Sequence, residues 1–147
     1  MTELSAASTN PRTPGLRLAL TERFARANRL DGAWWPYSVD LTAELAPLLE
    51  AVSKRIGRVR GVLLNRVEWD PTPLDWTPPG SRQTRISWYG HQDPGVAILI
   101  GDNAKRVDLL VIAPDTDSAE AIAAMNLASR GGNLLSATDT IRAVNAP

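Results

Sequence analysis

Leu16, Leu18 and Leu20 alternate with Arg17, Ala19 and Thr21, a two-residue rhythm that predicts a half-buried strand. After residue 40 the rhythm changes. Leu41, Leu45, Leu48, Leu49, Val52 and Ile56 recur at helical spacing, which predicts a helix capped by Ser38 or Asp40 and stopped by Gly57. Pro47 falls inside that stripe. An interior proline costs roughly 3 kcal/mol, so either the helix kinks there or it restarts with Pro47 in its first turn. Between the two patterns, Asn28 to Ser38 reads as irregular.

Val59 to Val67 predicts a second strand, ending at Trp69-Asp70-Pro71. Pro71, Pro73, Pro78, Pro79 and Gly80 frame a short segment, Leu74 to Thr77. Prolines cannot donate to a ladder, which makes this piece an edge strand or a loop. Thr84 to Tyr89 is the next strand and Gly90 to Gly95 a loop. Val96 to Ile100 is continuously apolar, as a central strand covered on both faces would be. Gly101-Asp102-Asn103 turns the chain into Arg106 to Ile112, its hairpin partner. Pro114 ends that strand. Asp117 and Glu120 cap a helix over 118–130, whose larger apolar residues are Ile122, Met125 and Leu127; Gly131-Gly132 closes it. A short, loosely held helix around 137–144 follows, with Ser136 as its cap.

This order predicts an α+β domain: a mainly antiparallel sheet of about five strands, with two helices packed on one face. If the first two strands neighbour each other in parallel, the connection through the helix should be a right-handed crossover. Residues 1–13 carry almost nothing to bury and read as a disordered tail. Residues 14–135 form the domain, and 136–147 a terminal helix or tail. We find no internal repeat.

Composition narrows the chemistry. The chain has 147 residues, enough for one domain with a real core, and no Cys. Disulfides, thiolate metal sites and thiol nucleophiles are excluded, and with one His so is a tetrahedral Cys/His zinc site. No apolar run approaches the roughly 20 residues of a membrane span. Met1-Thr2-Glu3-Leu4-Ser5 lacks the basic start and apolar stretch of a signal peptide, which makes a cytoplasmic location the expectation. Sixteen Lys plus Arg balance sixteen Asp plus Glu. That neutrality argues against a broad nucleic-acid or anionic-membrane surface, although a local patch is compatible with it.

The aromatic inventory is unusual: five Trp, two Tyr and one Phe. Two Trp are adjacent, in Asp31-Gly32-Ala33-Trp34-Trp35-Pro36. Neighbours in an extended segment point to opposite sides, so one face cannot bury both rings. Either Trp34 and Trp35 lie between two buried layers, or one is presented to a partner. Asp31 and Tyr37 flank the pair as polar contacts, although an Asp-Gly turn explains Asp31 as well. Trp69 and Trp76 sit in the proline-rich excursion, where they fold back on the sheet or face outward. Trp88 completes the set.

The segments Asp31-Gly32-Ala33-Trp34-Trp35-Pro36, Asp40-Leu41, Glu44-Leu45, Leu48-Leu49, Asn65…Trp69, Gln92-Asp93-Pro94 and Leu109 through Asp117 together resemble a family of small actinobacterial proteins built on a domain of unknown function. The resemblance covers roughly residues 14–135. Leu64 stands before Asn65 where the pattern has an aromatic, and His91 before Gln92 where it has Ser or a similar residue. The resemblance implies a cytoplasmic actinobacterial domain and no particular reaction.

Chemistry-bearing residues are few. His91 and Asp93 share a loop with Gln92, close enough for the carboxylate to orient the imidazole as a general base. Ser87 lacks the Gly-x-Ser-x-Gly elbow of hydrolases. Asp115, Asp117 and Glu120 have the chemistry for a divalent cation, but acidic residues are also what a helix start requires, and no metal or cofactor is assigned. Arg17, Arg23, Arg26 and Arg29, with Lys54, Arg55, Arg58, Arg60, Arg82 and Arg85, would form a stacking surface for single strands only together with exposed Trp.

The reading that follows is a small binding module. Its protein partner or small ligand would contact Asp31, Trp34, Trp35, Tyr37, Asn65, Trp69, His91, Gln92 and Asp93. The alternatives are a hydrolytic enzyme using His91 with Asp93 or Asp31, and a single-stranded nucleic-acid binder. A neutral chain self-associates more readily than a charged one, so a homodimer fits the composition.

Overall fold

In the computed structural model, residues 16–22, 29–66, 69–70, 84–90, 95–102, 105–131 and 135–145 are described. The tail 1–13, the segment Leu74 to Thr77, Trp76, and the loop residues His91, Gln92 and Asp93 lie outside them. Among the described residues, six strands and three helices follow in the order β1 (Leu18–Leu20), β2 (Gly32–Trp34), α1 (Leu41–Ile56), β3 (Val59–Asn65), β4 (Arg85–Tyr89), β5 (Val96–Gly101), β6 (Arg106–Val111), α2 (Ser118–Ala128) and α3 (Ala137–Asn145). No helix among the described residues is long and apolar enough to cross a membrane.

The strands form one sheet in the order β1-β2-β6-β5-β3-β4. The β1–β2, β3–β5 and β5–β6 pairs are antiparallel; β2–β6 and β3–β4 are parallel. The domain is α+β as expected, but the sheet is mixed and has six strands rather than about five. The extra strand is β2, inside the stretch read as irregular. Three residues, one of them Gly, carry too short an alternation to signal a strand. Two neighbours impose the extended form: Leu18 pairs with Trp34 on one side, and Trp34 with Val111 on the other. The first two predicted strands are not neighbours. α1 instead connects β2 to β3, which run in the same direction with β6 and β5 between them.

The helices depart from expectation in placement: among the described residues there are three, the last at the expected short terminal position, and they cover opposite faces of the sheet instead of one. α1 buries Leu41, Leu45, Leu48, Leu49, Val52 and Ile56 against Leu18, Trp34, Val62, Leu64, Ile86, Leu99, Val107, Leu109 and Val111. α2 and α3 cover the other face, where Ala121, Ala124, Met125, Ala128 and Ala137 pack with Ala19, Leu30, Ala33, Trp35, Leu110 and Ile112. Strand alternation makes this unavoidable. Consecutive apolar residues in β6 and the adjacent Trp pair place large side chains on both sides, and each side needs a cover. Thus Trp34, 0% exposed, enters one core, and Trp35, 7% exposed, enters the other.

α1 runs through Pro47 as a single helix, capped by the Asp40 carboxylate, which accepts from the Thr42 N–H, and closed at Gly57. Each of its buried aliphatic side chains contributes about 1.5–3 kcal/mol, so the six-residue stripe outweighs the proline. α2 is capped by Asp117 and ends at Ser129, short of the Gly pair. Its sheet-facing side is mostly alanine, which lets the helix approach closely, while Ile122 is turned out to solvent. In α3, the Ser136 hydroxyl accepts from the Asp139 N–H, and Ala137 and Thr140 are buried.

Candidate functional site

β2, β3 and β6 run in one direction, so the chain leaves all three at the same end of the sheet. Ligand crevices in sheets with parallel strands form outside such carboxyl ends. Here the three exits, residues 35–40 after β2, Trp69 beyond β3 and residues 112–117 after β6, surround a cleft of about 470 Å³. The exit from β2 supplies Pro36, Ser38 and Val39, and that from β3 supplies Trp69. Val111, Ala113, Pro114 and Asp115 come from the end of β6 and the turn beyond.

Hydrogen bonds fix this geometry. Glu44 reaches back from the first turn of α1. Its Oε1 accepts from the Tyr37 N–H at 3.0 Å and its Oε2 from the Ser38 hydroxyl at 2.8 Å. The Asp70 N–H donates to the Val39 carbonyl at 3.0 Å, tying the exit of β3 to that of β2. Trp35 Nε1 donates to the Ala113 carbonyl at 3.1 Å, tying β2 to β6.

Arg17 clamps the outer side of the same lip. Its guanidinium lies 3.6 Å from the Trp35 ring centroid and 3.8 Å from that of Tyr37, and it donates to the Trp35 and Pro36 carbonyls, both at 2.9 Å. Burial pulls its pKa below the ordinary arginine value, while the nearby Tyr37 and Glu44 oppose the shift. The exposed ring of Tyr37 therefore has a structural task as one half of the clamp.

Trp69 forms an inner wall and stacks on Trp34 with ring centroids 5.3 Å apart and an interplanar angle of 27°. Trp69 is 7% exposed, and neither its indole N–H nor that of Trp34 has an acceptor. Leaving a buried donor unpaired costs about 1–3 kcal/mol.

The expected site residues therefore separate. Trp69 lines the cleft. Trp34 backs it from the core, and Trp35 and Tyr37 hold its lip. Trp34 and Trp35 present no open face to a partner, because each sheet face is covered by helix. Asp31 lies at the opposite end of β2, where its Oδ2 accepts from the Asp108 N–H at 2.8 Å and its own N–H donates to the Asp108 carbonyl. It holds strand register, a task neither the ligand-contact reading nor a simple turn anticipates. Asn65, 3% exposed, ends β3 opposite Tyr89. Of the other seven lining residues, sequence pattern gives Ser38 as a cap candidate, Asp115 as a cation candidate and the two prolines as punctuation, and it assigns none of the seven to a common site. Their one available signal is position: Pro36 and Pro114 each terminate an apolar run that becomes a strand with the same direction.

Chemically the lining offers apolar walls, a rim carboxylate at Asp115, and the Ser38 hydroxyl, whose proton is already given to Glu44. Among the described residues no imidazole adjoins it, and no three His, Cys, Asp or Glu side chains are placed to hold a metal. Searches of curated proteins and of solved structures return no match. A family described as "Family of unknown function (DUF5994)" matches residues 17–128, a span that includes every residue lining the cleft. The chain belongs to the DUF5994 family.

Proposed function

We propose that this protein is a non-catalytic binding module that holds a small, mostly apolar molecule in the cleft at the carboxyl ends of β2, β3 and β6. The observation that carries this reading is an apolar cleft of about 470 Å³ walled by Trp69 and by the exits of strands that run in one direction. Its size falls within the range of small-molecule sites, and so does its make-up of apolar walls with few polar groups. Three loops tied to one another by hydrogen bonds keep it open without a ligand, which limits the ordering cost of binding.

Naphthyloxyethanol, an uncharged aromatic ether, is a suitable probe. Isothermal titration should show saturable binding to the wild-type protein. Val39→Trp places an indole in the cleft from a side chain that is already 38% exposed, so the core is not disturbed. The expected result is an affinity weakened roughly tenfold or more, with an unchanged melting temperature. Equal binding by the variant, or no saturable binding by the wild type, would contradict the proposal.

A further inference from the structure

α2 and α3 cover only part of their side of the sheet. The core beneath them draws on β1, β2 and β6, and it meets β5 at Val96. Val62, Leu64, Ile86, Leu99 and Val107 face α1, so strand alternation turns the residues between them to this second side. Away from α2, strand register sets these residues in two rows across β6, β5, β3 and β4. One row reads Arg106, Ile100, Gly61, Arg85; the next reads Asp108, Ile98, Leu63, Ser87. None of the eight is buried, and Ile100, on a central strand, is 42% exposed. Aliphatic residues on central strands with charged residues at the rim have the make-up of an association surface.

We propose that this patch is the interface of a symmetric homodimer, in which two copies pack face to face about a two-fold axis crossing the strands midway between the rows. Such an axis lays each row on the other row of the second copy, as an isologous interface requires. Arg106 then meets the partner subunit's Asp108, and Ile100 meets the partner subunit's Ile98. Leu63 enters the gap left by the partner subunit's Gly61, and Arg85 stands over the partner subunit's Ser87. Each bulky side chain thus faces a small one, an apolar one or an opposite charge. An axis along the strands would instead set Arg85 on the partner subunit's Arg106, so charge selects the first arrangement. Within one copy Arg106 Nε lies 2.6 Å from Asp108 Oδ1. In the dimer the two such pairs close into a ring of alternating sign. The chain's zero net charge adds no long-range repulsion between copies. Two short rows make a small interface, and the dimer is accordingly weak and reversible.

Sedimentation equilibrium of the full chain, from low micromolar to near-millimolar concentration, tests this. The wild type should pass from monomer to dimer as concentration rises. Gly61→Glu fills the gap that receives Leu63. A Cβ at Gly61 meets the Arg85 carbonyl oxygen at 3.8 Å, an ordinary contact, so the monomer accepts the side chain. This variant should weaken the dimer about tenfold or more, with an unchanged circular dichroism spectrum. Arg106→Asp should weaken it too, and Arg106→Asp/Asp108→Arg should restore it, because the exchange returns opposite charges to facing positions. A wild type that stays monomeric throughout, a dimer indifferent to Gly61→Glu, or a charge exchange that fails to rescue would each overturn the proposal.

Discussion

Trp34→Ala should lower the stability of the domain by about 3–4 kcal/mol, the largest effect expected of any single substitution here. The ring is fully buried between α1 and the sheet and stacks on Trp69. Truncation removes the transfer free energy of the indole, opens a cavity beneath Trp69, and forfeits a ring–ring contact worth about 0.5–1.5 kcal/mol. One term opposes these. The Trp34 N–H is buried without a partner, so deleting it returns about 1–3 kcal/mol of desolvation. The cavity and transfer terms are larger and set the sign. Trp34→Phe separates the two contributions, because it deletes the orphaned donor and keeps most of the ring. It should cost about 1 kcal/mol or less. Urea denaturation of both variants checks the pair: a Trp34→Ala midpoint equal to wild type would mean that the ring is not in the core.

Gly32→Ala should be nearly as damaging, for a reason unrelated to cavities. A Cβ built at Gly32 would stand 2.0 Å from the Ala19 carbonyl oxygen and 3.0 Å from the Leu20 Cα, both main-chain atoms. No rotamer change relieves a backbone clash, so β1 must move away from β2. β1 is a three-residue edge strand held on one side only, and it brings Leu18 to the core and Arg17 to the cleft lip. The expected loss is about 3 kcal/mol, with faster amide exchange in β1 than in β5. Gly131→Ala is the control. Nothing lies within 4 Å of a Cβ there, and it should be close to neutral. If both substitutions were equally mild, the close pairing of β1 and β2 would be refuted.

Gly32 also shows how far sequence reasoning carries. Asp31-Gly32 looks like a turn because Asp-Gly pairs usually are turns. Here the glycine is needed because a neighbouring backbone, distant in sequence until the sheet forms, passes too close for a side chain. Local pattern is sufficient where each element's own residues decide its form. The α1 stripe, its Asp40 cap and Gly57 stop, and the β5–β6 hairpin are of this kind. Even the question of one buried layer or two for Trp34 and Trp35 is posed by the residues themselves, since alternation along an extended segment leaves only those answers.

What local pattern lacks is pairing. β2 is a strand by virtue of its neighbours, and the parallel partnership with β6 brings three exits to one end. Val39, Val111 and Ala113 are unremarkable residues in sequence and line a cleft only through that topology. The alanine face of α2 is equally quiet. Ile122, one of the larger apolar residues of its helix, points outward, and the small residues make the contact.

The central claim is that Trp69 closes a cleft that other molecules enter. Nitrogen-labelled indole spectra test it most directly. On addition of naphthyloxyethanol, the Trp69 Nε1–H signal, identified by its disappearance in Trp69→Phe, should move more than that of Trp88, whose ring lies on the far edge strand. A bound probe that leaves the Trp69 signal in place while shifting Trp88 would place the binding surface elsewhere and contradict the account.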